Sequence, residues 1–303
     1  MIDLAALRAL ASIAGRGTLA RAAAELGYTP SAVSQQVKRL EREVGTPLLS
    51  PAGRGVVLTP AGRALVEASG DVFAAVEMAS CAAQSVTGAS PTGLLRIGAF
   101  STAIRGLLAP ALVDLADRHP DLRVDIVELD PLEALAAVDV GSVDLAFVHD
   151  ADGVPTPAPA SIRQAVVHTD LGDLALPTGH PLAEESTPVP EAVLAAHPWV
   201  TSPPGTVCHQ WFRRLFAGIG HEPDVRHVAD DFATQLALVR SSGVLALVPR
   251  LARPEVPDGV TIRPLSPAPR REVRAAWRVS AHASPAVRAV VSQWVDPDDG
   301  LTS

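Results

Sequence analysis

Apolar residues at the start of the chain fall three and four positions apart: Leu4, Leu7, Leu10, Ile13 and Ala14. That spacing predicts an amphipathic helix, and Gly15 and Gly17 end it. Thr18 can cap a second helix whose Ala22, Ala23 and Leu26 supply core contacts. Gly27 suits the left-handed conformation that stops a helix without a Cβ penalty. Thr29 then acts as N-cap of a third helix, with Pro30 at its first position, where a missing N–H costs nothing. Val33, Val37, Leu40 and Val44 form the core side of that third helix. Two helices separated by so short a glycine turn must cross steeply over one core, which is the grammar of a helix-turn-helix.

The pattern then changes period twice. After Gly45 come an apolar pair, a Pro/Gly turn carrying Arg54, and Val56-Val57-Leu58, which predicts a small hairpin beside the helices. Thr59-Pro60 repeats the cap-then-proline signal and opens a long helix. Its Leu65, Ala68, Val72, Ala75, Ala79, Ala82 and Val86 recur at spacings of three and four, a stripe suited to helix pairing. The run Thr87 to Thr92 is hinge-like in composition. From Leu94 onward, strand-like runs (LLRIGAF, LRVDIVEL, VDLAFVH) alternate with helical stretches, predicting parallel strands covered by helices. After the proline-rich VPTPAPA, a second unit of the same kind runs through AVVHTDLGDLALP, WVTS, DFATQLALVRSSG and VLALVP. REVRAAWRVSA reads as a returning strand, and Ser284-Pro285 starts a final helix.

Chemistry concentrates on the outer face of the third helix. Ser31, Ser34, Gln35 and Lys38 lie at i, i+3, i+4 and i+7, opposite the apolar side. Gln can pair bidentately with adenine in the major groove and Ser with several base edges, while Lys38, Arg39 and Arg42 can neutralise phosphates. An αα-hairpin with a polar outer face is the plainer alternative; the hairpin that follows argues for a winged helix-turn-helix. Charge agrees: residues 1–63 hold eight basic and four acidic side chains, a net +4, in a chain whose net charge is −8. A basic head on an acidic body suits nucleic-acid binding.

The stretches AAAELGYTPSAVSQQVKRLEREVGTPLL and GRGVVLTPAG resemble the LysR-type transcriptional regulators. The match is dense over residues 1 to about 66 and looser to the C-terminus. It implies an α+β multidomain chain: a winged helix-turn-helix DNA-binding domain at 1–60, a linker and dimerisation helix with hinge at 61–90, and a two-lobed α/β periplasmic-binding-protein-like effector-binding domain at 91–303. Lobe one would take about 91–160 and 266–303, lobe two about 161–265. One departure stands out: Leu49-Ser50-Pro51 replaces the family's usual Phe-acid-Arg run, so Pro51 stands where an arginine would approach DNA, and Arg54 is left to do part of that work.

The resemblance implies further expectations. Double-stranded DNA is the partner of the head, through Thr18, Thr29, Pro30, Ser31, Ser34, Gln35, Lys38, Arg39 and Arg54. The chain pairs with itself as a homodimer or homotetramer, and contacts RNA polymerase if it activates. A small organic effector, an anion by the chemistry of its site, binds in the cleft between lobes at Ser101, Thr102, His149, Thr201, Ser202, Phe232 and Thr234. Helix-capping is the plainer role for Ser101 and Thr201, and a hydrogen-bonded structural role is the plainer one for His149.

Other classes are less well supported. No G-x-S-x-G, P-loop or H-E-x-x-H motif occurs, so no enzyme, cofactor or metal site is expected. No apolar run is long enough to span a membrane and no signal peptide is evident, which places the chain in the cytoplasm. Two alternatives remain within reach. Cys208 beside His209 could act as a redox sensor, although Cys81 is no neighbour to resolve it. A head degenerated at Pro51 would leave only a small-molecule binder.

Overall fold

The computed structural model describes residues 2–52, 55–86, 90–183, 189, 191–218 and 222–295. The head is α1 (Leu4–Arg16), α2 (Leu19–Leu26), α3 (Pro30–Val44) and a hairpin of β1 (Leu49–Ala52) and β2 (Gly55–Leu58). Helices α2 and α3 carry the caps their sequence promises, while α1 is capped by Asp3 and runs through Gly15 to end at Gly17. The hydroxyls of Thr18 and Thr29 accept from Arg21 N and Ala32 N, both at 3.2 Å. Gly27 ends α2 at φ 70°. Leu7, Leu10, Ala22, Val33, Val37, Leu40 and Leu48 form one buried core. Val44 is not part of it: it lies on the outward side of the last turn of α3 and is exposed.

The hairpin is antiparallel, with Pro51 opposite Val56. It is held to α3 by Glu41, whose Oε1 accepts from Leu48 N (2.8 Å) and Leu49 N (3.1 Å). The long helix α4 (Pro60–Val86) starts hard against this junction. A Cβ on Gly62 would lie 2.2 Å from Leu48 O, so only glycine permits the approach.

Along α4, Leu65, Val66 and Phe73 pack on the head core. Further along, Cys81 is buried, turned toward the body rather than lying in the pairing stripe. The stripe itself (Ala68, Val72, Ala75, Ala79, Ala82) is exposed in the single chain. The expected hinge at 87–92 lies partly outside the described residues, as does Arg54.

Lobe one contains β3 (Gly93–Ala99), α5 (Ser101–Ala103), a π-helical turn (Ile104–Leu108), α6 (Ala109–Arg118), β4 (Leu122–Glu128), α7 (Pro131–Asp139) and β5 (Leu145–His149). Strand β6 (Ile162–Pro177) leads into lobe two. There follow α8 (Glu191–Ala195), β7 (Pro198–Thr201), α9 (Val207–Arg214), β8 (Asp224–Val228), α10 (Phe232–Ser242), β9 (Leu245–Pro249) and β10 (Val260–Pro264). Strand β11 (Arg270–Arg278) returns to lobe one, and α11 (Pro285–Val291) closes it. Of these, α8, α9, β8 and β10 have no counterpart in the sequence reading.

The strand order β4-β3-β5-β11-β6-β9-β7-β8, with β10 on β6, makes β6 the shared spine. Its first half pairs with β11 and its second half with β9 and β10. Parallel pairing of β3 with β4 and β5, and of β7 with β8 and β9, matches the βαβ reading in both lobes.

Candidate functional site

Two regions carry the residues singled out by sequence. On α3, Ser31, Gln35 and Lys38 are exposed and Ser34 is half-buried, while Val33 and Val37 point into the core. Gln35 and Lys38 also line an open groove of about 790 Å³, together with Arg42, Gly45, Thr46 and Pro47 beside the hairpin. The arrangement offers amide, hydroxyl and ammonium groups to a partner without competing contacts from the chain. Arg39 differs from its expected role: its Nε lies 3.3 Å from Glu43 and its Nη1 3.5 Å from Asp3, tying α3 to the start of α1. These pairs are solvent-exposed and therefore weak, so they compete only modestly with a phosphate.

The interlobe cleft is built differently. Its centre is Arg271 on β11, fully buried. Arg271 Nε and Nη2 donate to Asp170 Oδ2 on β6 at 2.9 and 2.8 Å, and Nη2 also donates to Thr102 Oγ1 at 2.9 Å. The guanidinium stacks over Phe100 of lobe one (5.4 Å) and Trp211 of lobe two (5.2 Å). Asp170 is a hub: its other oxygen accepts from the backbone N–H groups of Leu171 (2.8 Å), Arg250 (3.2 Å) and Leu251 (2.8 Å). A carboxylate so surrounded can be buried without the usual desolvation penalty being left unanswered. One donor remains unmet: Arg271 Nη1 is buried with no hydrogen-bond partner among the described residues.

His149 and Cys208 form the second bond across the lobes. His149 Nδ1 lies 2.8 Å from Asp150 O, so it carries the proton; Nε2 is then free to accept from the Cys208 thiol at 3.4 Å. Burial, assisted by the Arg271 charge, pushes the His149 pKa down to about 3, so the ring stays neutral. Burial pushes the Cys208 thiol up to about 11. The partner of Cys208 is therefore His149 and not His209, whose Nδ1 lies 3.0 Å from Ser202 O. A thiol held neutral in this way is the opposite of the exposed, low-pKa cysteine that oxidants attack.

Thr201, Ser202 and Phe232 line a small cavity with Cys208, Trp211 and Gln235, of about 10 Å³. That is room for about one water. The chain's own side chains fill the space in which an organic ligand was expected. Ser101 sits half-buried in the first turn of α5 with no cap bond from a side chain there. Thr234 is turned away: it is exposed, and its hydroxyl donates to Asp231 at 3.0 Å. Asp170 and Arg271 were missed by sequence reading: each lies in a strand that carries other charged residues as well, so nothing local marks it out. Among the described residues no cluster of side chains could hold a metal ion, and no helix is long and apolar enough to cross a membrane.

Comparison with known proteins covers both the head and the two-lobed body. Residues 4–63 match the bacterial regulatory helix-turn-helix protein, lysR family, and residues 88–296 match the LysR substrate binding domain. A probable cat1 operon transcriptional activator of Acinetobacter lwoffii is 33% identical over 67% of this chain and 65% of its own length. The small neutral protease regulatory protein of Streptomyces coelicolor is 31% identical over 86% of this chain and 81% of its own length. A full-length OxyR variant from Pseudomonas aeruginosa superposes with a TM-score of 0.73 over 96% of this chain and 94% of its own, at 19% identity, a likeness of fold. With a capped helix-turn-helix and wing at one end and a two-lobed α/β domain at the other, the chain belongs to the LysR family of DNA-binding transcriptional regulators.

Proposed function

We propose that α3 reads the major groove through Ser31, Ser34, Gln35 and Lys38, and that the interlobe cleft around Arg271 responds to a small anionic effector. The observation that carries the first part is the outward, unengaged polar face of α3, set opposite a fully buried Val33-Val37-Leu40 side. Gln35 would specify a base, whereas Lys38 would add sequence-independent phosphate affinity. Thr18, Thr29 and Pro30 fix the helix starts that aim this face, and Arg54 would reach the flanking groove. The exposed alanine stripe of α4 supports self-pairing as a dimer or tetramer, which presents two reading helices to successive grooves.

For the second part, support comes from the unmet Arg271 donor beside Thr102, with Thr201 and Ser202 across the cleft. The cleft is nearly filled, so binding requires the lobes to open or the Trp211 side to move. An effector then shifts the chain only by its differential affinity for the two arrangements. Contact with RNA polymerase would follow if the bound form activates, and the setting would be cytoplasmic. The raised Cys208 pKa speaks against redox sensing; unchanged DNA binding after mild peroxide treatment is the expected result.

The test is fluorescence anisotropy with DNA from upstream of the chain's own gene against scrambled DNA, across a salt series. Specific binding that Gln35→Ala relaxes supports the reading. Absence of any preferred site after selection from random DNA would sink it.

A further inference from the structure

A cleft of about 700 Å³ lies between α1 of the head, α4 and lobe one, away from both regions described above. We propose that it is a second binding site, for an amphipathic organic anion with an aromatic or alicyclic body and a carboxylate or sulfonate group. The size lies within the range of about 300–1,000 Å³ typical of small-molecule sites.

Its walls have the matching chemistry. Leu4, Tyr28, Val76 and Val140 are all large, apolar or aromatic, and substantially exposed in this chain, and they converge on this one cleft. Such a concentration of exposed apolar surface marks a binding region more often than chance. The polar groups define the ligand's charge. Every carboxylate in the cleft already accepts a hydrogen bond. Glu77 accepts from Arg278 at 2.6 and 2.9 Å, Asp144 from Arg96 N at 2.9 Å, and Asp139 from Ser161 at 2.7 Å. The Arg8 guanidinium covers the Phe73 ring at 5.5 Å, and its charge helps to lower the Glu77 pKa. The Arg96 guanidinium is exposed and makes no ion pair among the described residues. A guanidinium left to solvent beside carboxylates that already have donors favours a ligand that brings an anionic acceptor.

Gly70 supports the same reading. It stands inside a long helix, where glycine is a poor helix former. A Cβ there would meet nothing within 4 Å, so neither a turn nor close packing demands it. Its effect is to leave the wall of the cleft hollow. A second copy of the chain is a poorer occupant. Gly70, Phe73, Glu77 and Ser80 lie on one face of α4, and helical spacing sets the alanine stripe Ala68, Ala75, Ala79, Ala82 on another.

The probe is 1-anilinonaphthalene-8-sulfonate, titrated into the full-length protein by fluorescence, with far-UV circular dichroism and sedimentation on the same samples. Saturable binding is expected, weakened about tenfold or more by Arg96→Ala. Gly70→Phe should abolish it while leaving helix content and oligomeric state unchanged. Uncharged N-phenyl-1-naphthylamine should bind wild type and Arg96→Ala alike, because only the sulfonate meets the guanidinium. Binding that survives Gly70→Phe would overturn the proposal. Equal loss in Thr102→Val would also overturn it, by placing the dye between the lobes. Dissociation of the oligomer by Gly70→Phe would make a second copy the occupant and overturn it too. DNA anisotropy is read separately, so failure here leaves the DNA-reading assignment untouched.

Discussion

The outer face of α3 and the interlobe cleft are both polar, yet they satisfy their polar groups in opposite ways. Ser31, Gln35 and Lys38 stand in solvent, where water meets their hydrogen-bonding needs until a partner replaces it. In the cleft, Arg271 is bonded to Asp170 and Thr102, and His149 to the half-buried Cys208, with little left to solvent. A face that reads an outside partner remains unengaged in the free state. A cleft that must change shape on binding holds itself closed with internal bonds, which the ligand has to replace or rearrange. Stability changes should therefore come from the cleft and recognition changes from the head, and each measurement below tests that division.

The largest effect is expected on acidification. The folded-state pKa of His149 is about 3, below its ordinary value of 6.5. Folding therefore favours the neutral ring: its contribution is complete above about pH 6.5 and is lost as pH falls toward about 3. The full loss is on the order of 4–5 kcal/mol. Urea unfolding from pH 7 downward should show stability declining through this window, with a shallower decline in His149→Gln. An unchanged profile in that variant would assign the acid sensitivity elsewhere.

Asp170→Ala comes next. It leaves Arg271 buried without its counter-ion and strips three backbone N–H groups of their acceptor. Removing one member of a buried pair costs about 3–5 kcal/mol. Thermal unfolding should record that loss. Replacing Asp170 and Arg271 together by apolar residues should recover much of it, while leaving DNA affinity of the folded fraction unaltered. A loss under about 1 kcal/mol would mean that water reaches the pair and the cleft is open.

How much of this was legible in the sequence follows the same division. The head is written locally: Thr18, Gly27, Thr29 and Pro30 each act within a few residues, and the buried positions of α3 repeat at helical spacing. Its errors are also local. Val44 was placed in the core because its period fits, but its side of the last turn faces solvent, and Arg39 found Asp3 and Glu43 on its own side of the head. The cleft depends on pairs such as Arg271 with Asp170, 101 positions apart. No periodicity records that partnership. Thr102, Thr201, Ser202 and Phe232 were located by the family resemblance and their places at strand ends. That reasoning could not anticipate that Arg271 and Trp211 fill the space between the lobes. The short α8 and α9 and the edge strand β8 lack a sustained period.

A smaller effect belongs to the head. Gln35→Ala should cost about 1–3 kcal/mol on preferred DNA and relax discrimination at one base position. Lys38→Ala should weaken all sequences alike and lower the slope of log affinity against log salt by about 0.9. Neither should alter thermal stability beyond about 0.5 kcal/mol, since both side chains are exposed. If Gln35→Ala lowered stability and left specificity intact, α3 would be a scaffold and not a reader.

The smallest effect is the sharpest test of where the cleft ends. Thr234 was grouped with the effector residues because it opens the helix after a lobe-two strand. In the fold its hydroxyl is exposed and donates to Asp231 Oδ2 at 3.0 Å, while the same oxygen accepts the Thr234 N–H at 2.8 Å. Thr234→Ala keeps the backbone bond and the Asp231 cap, and loses only a surface hydroxyl contact. The expected change is within about 0.5 kcal/mol in stability, with no change in effector response. Thr201→Ala, three per cent exposed in the cavity wall, should abolish that response. A Thr234→Ala variant that failed to respond would extend the binding surface onto the outer face of α10. The cleft would then be a groove that the ligand crosses, and no longer a pocket that closes over it.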